Sequence, residues 1–83
     1  MRLISKIIIN FENTNWDYIL IDNLYTKIYN FNKTPVEFYI EHCYEIEIET
    51  FSSDGKSINI FKLHLGSYIS KYNFTIRDGM LVD

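Results

Sequence analysis

The stretch YILIDNLYTKIYNF, residues 18–31, decides the fold. Its apolar and polar residues do not alternate strictly. Wound as a helix, it brings Leu20, Ile21, Leu24, Tyr25 and Ile28 onto one arc, widened by Tyr18 and Tyr29. Asn15, Asp22, Asn23, Thr26, Lys27 and Asn30 fall on the opposite arc. Thr14-Asn15-Trp16-Asp17 has the spacing of a capping box, in which a hydroxyl and an acid satisfy the free amides of a first helical turn. The periodicity predicts an amphipathic helix, with Trp16 and Ile19 off the pattern. Intrinsic helix propensity here is poor, so tertiary packing has to hold it. The second reading places a turn at Asp22-Asn23, between two strands of an all-β meander.

On either side of this stretch the pattern is that of strands. Leu3 to Phe11 is apolar on both faces, as expected of a central or covered strand. Val36 to Thr50 alternates: Val36, Phe38, Ile40, Tyr44, Ile46 and Ile48 against Glu37, Tyr39, Glu41, Cys43, Glu45, Glu47 and Glu49. It reads as one long half-buried strand, bent near His42. A rival reading opens a short helix with Thr34-Pro35-Val36-Glu37 and runs it to Cys43. Ser52-Ser53-Asp54-Gly55 is a turn, and Lys56 to Leu65 returns as the partner strand. A four-residue loop puts Glu45 opposite Lys62, Ile46 opposite Phe61, Tyr44 opposite Leu63 and Cys43 opposite His64. Tyr68 to Tyr72 reads as a loop or one helical turn. Phe74 to Val82 is a last strand, folded tightly at Asp78-Gly79.

The order strand, helix, strand, strand, connection, strand predicts an α+β fold. Its antiparallel sheet has three to five strands, with the amphipathic helix packed on one face. All 83 residues form a single domain, residues 1–83. Composition favours sheet: 35 of 83 residues are β-branched or aromatic, and Ala and Gln are absent. The dominance of Ile, Asn, Lys, Tyr and Phe, whose codons are AT-rich, points to an AT-rich source genome.

Net charge is −3, so no basic field is present to hold nucleic acid directly. The one cysteine, Cys43, forms no internal disulfide, which suits a reducing, cytoplasmic setting. No run approaches the ~20 apolar residues that span a bilayer. Glycines lie in no phosphate-binding pattern, and neither a cofactor nor a metal is implied. Cys43 with His64, and His42 beside them, has the residue types of a nucleophile pair or a metal site. His42 and Cys43 point to opposite faces of a strand, and no third triad member or fourth ligand has suitable spacing. The chain is therefore read as a non-enzyme, with a small Cys/His enzyme as the outlying alternative.

The most distinctive feature is the carboxylate row. Residues on one face of a strand repeat about every 6.8 Å, comparable to neighbouring phosphates of a nucleic-acid strand. Glu37, Glu41, Glu45, Glu47 and Glu49, with Tyr39 among them, form the candidate partner-binding surface. Such a row suits a protein partner with a basic nucleic-acid-binding groove. The plainer use is a solvated outer face whose charges oppose edge-to-edge aggregation. In size and composition, though in no residue motif, the chain resembles the accessory inhibitors that phages and mobile elements use against host nucleases, anti-CRISPR and anti-restriction proteins among them. That resemblance implies a small acidic protein-binding inhibitor. A structural homo-oligomer, for instance a homodimer joined through a sheet edge or the face carrying Tyr18, Tyr25 and Tyr29, is the alternative.

Overall fold

Residues 18–22 and 24–31 hold two paired strands rather than a helix. The computed structural model describes residues 2–22, 24–31 and 35–82, and among these the regular elements are eight strands and no helix. They are β1 (Ile4–Glu12), β2 (Tyr18–Ile21), β3 (Thr26–Tyr29), β4 (Val36–Glu41), β5 (Glu45–Phe51), β6 (Ser57–His64), β7 (Lys71–Arg77) and β8 (Met80–Val82). The α+β expectation is thus corrected to all-β, the second reading of the sequence. Along β2, Ile19 and Ile21 are buried while Tyr18 and Leu20 face outward and stay half-covered. An outer face that is itself apolar hides the period of two, and the same residues then fall by coincidence on a helical arc. The chain reverses after Ile21, whose carbonyl accepts from the Tyr25 N–H at 2.8 Å, with Tyr25 at φ 50°. Asp22 lies in this turn; Asn23 is outside the described residues. The expected capping box does other work: Thr14 Oγ1 donates to the Glu12 carbonyl at 2.8 Å and accepts from the Gly79 N–H at 3.0 Å.

Four strands make each of two sheets, in the orders β4-β1-β7-β8 and β3-β2-β5-β6. All pairings are antiparallel except β1 with β7, which run parallel from Lys6 beside Lys71 to Glu12 beside Arg77. β1 is internal to its sheet, as its two apolar faces require. Inner faces of both sheets close on one core: Ile7, Ile9, Phe38, Ile40, Tyr72 and Ile76 from the first, Ile19, Ile21, Ile46, Ile48, Phe61 and Leu63 from the second. This is a two-layer β-sandwich. Its buried hydroxyls are partnered: Ser5 Oγ donates to the Ile69 carbonyl at 2.9 Å, and Thr50 Oγ1 accepts from the Asn59 N–H at 3.1 Å.

The expected long strand 36–50 is two strands in different sheets. The chain leaves the first sheet at Glu41 and enters the second at Glu45, through His42, Cys43 and Tyr44. The His42 N–H donates to the Leu3 carbonyl at 2.7 Å, and the Leu65 N–H donates to the Tyr44 carbonyl at 2.8 Å. The rival helix over 34–43 is absent from Val36 onward, where β4 begins; Thr34 lies outside the described residues. The β5–β6 register is two residues from the expected one: Glu45 faces His64, Ile46 faces Leu63, Glu47 faces Lys62 and Ile48 faces Phe61. The shift keeps each side chain on its expected face. At its turn end Thr50 faces Asn59 but Phe51 faces Ser57, leaving Ile58 as a bulged extra residue on β6. Tyr68 to Ser70 is irregular chain before β7, and the tight fold at Asp78-Gly79 joins β7 to β8.

Candidate functional site

The two sheets divide the carboxylate row. Glu37, Tyr39 and Glu41 project from the outer face of β4, on the first sheet, while Glu45, Glu47 and Glu49 project from the outer face of β5, on the second. Inward alternation of Val36, Phe38 and Ile40, then of Ile46 and Ile48, forces this outcome once the strands lie in opposite layers. The structure therefore joins the six candidate residues in two groups of three, on opposite sides of the sandwich.

On the first sheet, Lys6 answers the acids. Its Nζ lies 2.7 Å from Glu37 Oε1 and 5.9 Å from the Tyr39 ring centre. The hydrogen bond and charge of Glu37 hold the Lys6 pKa above its ordinary value. Further along the same face Arg77 Nε donates to Glu12 Oε1 at 2.7 Å.

On the second sheet the outer face has two ends. At one end are the acids, each beside a different neighbour on β6: Glu45 by His64, with His64 Nδ1 and Glu45 Oε2 3.2 Å apart, Glu47 by Lys62 and Glu49 by Ile60. At the other end four rings stand side by side. Phe51 stacks on Tyr18 with centres 4.8 Å apart and planes within 7°, Tyr18 meets Tyr29 at 5.5 Å, and Tyr29 stacks on Phe31 at 5.6 Å. Lys27 Nζ sits 5.1 Å over Tyr18. The comb arises because Tyr18 is the cross-strand neighbour of both Tyr29 and Phe51. Phe31, at its end, is 82% exposed. Sequence reading placed Tyr18 and Tyr29 together on a helix edge; it missed Phe31 and Phe51, whose part depends on cross-strand register.

Cys43 and His64 are not opposite each other, because the register puts Glu45 there. Cys43 Sγ donates to the Glu45 carbonyl at 3.4 Å. His42 is built into a wall: its Nε2 donates to the Gly66 carbonyl at 3.1 Å, the Tyr68 ring meets it edge-on at 5.3 Å, and Tyr72 lies parallel at 6.3 Å. Among the described residues no group of three or more His, Cys, Asp and Glu is placed to hold a metal ion. Nor is any described helix long and apolar enough to cross a membrane.

An open polar cleft of about 690 Å³ lies where β1 runs into β2, edged by Asn10, Glu12, Asn13, Asp17 and Asn30 above Trp16. Its polar groups serve the fold. Asn30 Nδ2 donates to the Trp16 carbonyl at 2.9 Å, Asn13 bonds Asp78, and Glu12 holds Arg77. Trp16 is buried against Phe11, with ring centres 4.8 Å apart, so it offers no open ring face. The chain matches no protein-family model, and comparison with curated proteins and with solved structures finds no match.

Proposed function

We propose that the chain is a protein-binding module that engages a basic partner through the outer face of its second sheet. The observation that carries this is the junction, on one face, of the Glu45, Glu47 and Glu49 carboxylates with the ring comb of Phe51, Tyr18, Tyr29 and Phe31, half-covered at Phe51 and Tyr18 and exposed at Tyr29 and Phe31. Aromatic anchors beside charged groups are the usual ingredients of a binding hot spot, the rings supplying affinity and the charges orientation and rate. Three carboxylates repeating about every 6.8 Å suit basic side chains spaced for phosphates. The partner class is accordingly a protein with a nucleic-acid-binding groove, and the module acts as an inhibitor that fills it. Glu37, Tyr39 and Glu41 lie on the far sheet and take no part in this contact.

The test is retention of proteins from a bacterial lysate on the immobilised chain, at low and high salt, with and without competing oligonucleotide. The expected result is a retained nucleic-acid-binding protein, displaced by the oligonucleotide and lost on Glu45→Gln/Glu47→Gln or on Phe31→Ala. Retention that neither the substitutions nor the oligonucleotide change would overturn the reading.

A further inference from the structure

Among the described strands β6 is the longest at a sheet edge. Each sheet has two edge strands: β4 and β8 in the first, β3 and β6 in the second. β3 and β8 have only four and three residues. β4 follows Pro35 and carries Glu37 and Glu41 outward, devices that discourage strand addition. β6 is eight residues long, has no proline, and bears one formal charge, Lys62. Beside it Ile60 is 54% exposed. Among the described residues no strand pairs with the outer edge of β6, and such an edge flanked by an exposed isoleucine is a template for another strand.

We infer that this edge pairs with the same edge of a second copy of the chain, β6 against β6 in antiparallel sense, making one continuous eight-stranded sheet across a two-fold axis. Three features of β6 select the copy and the register. The bulge at Ile58 ends regular pairing, so the usable stretch is 59–64. Both copies must keep their inner residues inward, so outward residues face outward residues. Axes at Phe61 and at Lys62 pair the most of this stretch, and charge decides between the two. A two-fold axis at Lys62 sets two lysines opposite each other. An axis at Phe61 instead sets Ile60 of one copy opposite Lys62 of the other, twice, with Asn59 opposite Leu63. In that register each Lys62 keeps Glu47 on its own side and lies, across the new pair, in the row that holds Glu49. The stem of Lys62 covers the exposed Ile60, and no like charges are opposed. The acidic-aromatic face of each copy stays open, so the pairing is independent of the partner binding proposed above.

Light scattering over a concentration series tests it. The expected result is a dimer that dissociates on dilution, with amide hydrogen exchange in residues 59–64 slowing as concentration rises. Ile60→Lys opposes lysines at both equivalent sites and should weaken association at least ~10-fold, as like-charge juxtaposition does. Met80→Lys, on the exposed edge strand β8, should leave it unchanged. A monomer at all concentrations would overturn the proposal. So would a dimer indifferent to Ile60→Lys, or one whose concentration-dependent protection lies outside β6.

Discussion

Asp54 sits in the turn between β5 and β6, where it accepts from the Ser52 hydroxyl and from the Lys56 N–H, the latter at 3.2 Å. These bonds favour the carboxylate, and the Ser52 hydroxyl contributes most to holding the Asp54 pKa below the ordinary carboxylate value. Because folding lowers this pKa, the stability it brings is present in full above the ordinary carboxylate range. It is lost as pH falls through the folded value. Ser52→Ala should move the Asp54 titration midpoint, followed by carboxyl NMR, back up toward that of an unstructured aspartate. An unmoved midpoint would exclude the hydroxyl as cause. Lys6 and Arg77 have the opposite sign: Glu37 and Glu12 raise their pKa values, so what they bring is lost only as pH rises through the folded values. At the same scale Gly79 is replaceable only at a cost. It and Asp78 have φ of 76° and 52°, the two left-handed residues of a type I′ hairpin turn. A methyl at Gly79 would meet only Asn59 Nδ2 at 3.7 Å, an ordinary contact, so the penalty of Gly79→Ala is backbone strain alone. Denaturant unfolding should show a loss of about 1 kcal/mol. No loss would mean the turn relaxes to another type.

Strand pairing is where sequence reading and structure part. The alternation of 44–50 was legible because β5 has apolar residues inward and glutamates outward. The same parity runs on through β4, so residues 36–50 alternate straight across a corner that moves the chain between sheets. Only the break at His42 marked it. Hairpin β2–β3 was hidden for a different reason: of its outward residues Tyr18, Leu20, Lys27 and Tyr29 three are aromatic or aliphatic, the two tyrosines because they belong to the comb. A parity argument fixes which face a residue takes but cannot fix register to better than two residues, and here a turn one residue longer than expected and the bulge at Ile58 each supplied one residue of the difference. That register is itself testable. With Glu47 opposite Lys62, Glu47→Lys alone opposes like charges and should destabilise by about 0.5 kcal/mol. The double exchange Glu47→Lys/Lys62→Glu should recover most of that loss. The corresponding cycle on Glu45 and Lys62, the pair expected from sequence, should show a smaller coupling. Equal coupling in the two cycles would count against the observed register.

For the molecule as a whole, the parallel pairing of β1 with β7 joins the two ends of the fold. Lys6 lies beside Lys71 and Ile9 beside Phe74, so nearly the entire chain is enclosed before this pair can form. No local pattern announces such a contact: β1 was legible as a strand and β7 only from Phe74, its first residues Lys71 and Tyr72 having read as the preceding loop, and nothing made the two neighbours. Long-range closure carries entropy that must be offset before its contacts form, and all-β domains of this kind refold in milliseconds to seconds. The order of events follows from the same reasoning. Hairpin β5–β6 closes through a short turn, whereas β7 can dock only after β1 is in place. Ile48 on β5 and Ile76 on β7 are both fully buried, and trimming either to valine should cost about 1 kcal/mol. The two losses should appear in different rates. Ile48→Val should mainly slow refolding, because its contacts form early. Ile76→Val should mainly speed unfolding, because its contacts form late. Stopped-flow refolding and unfolding over a urea series separates the two. If Ile76→Val slows refolding as much as Ile48→Val does, the parallel pair is already closed in the transition state, and the β1–β7 contact belongs to the nucleus of this fold together with the hairpin.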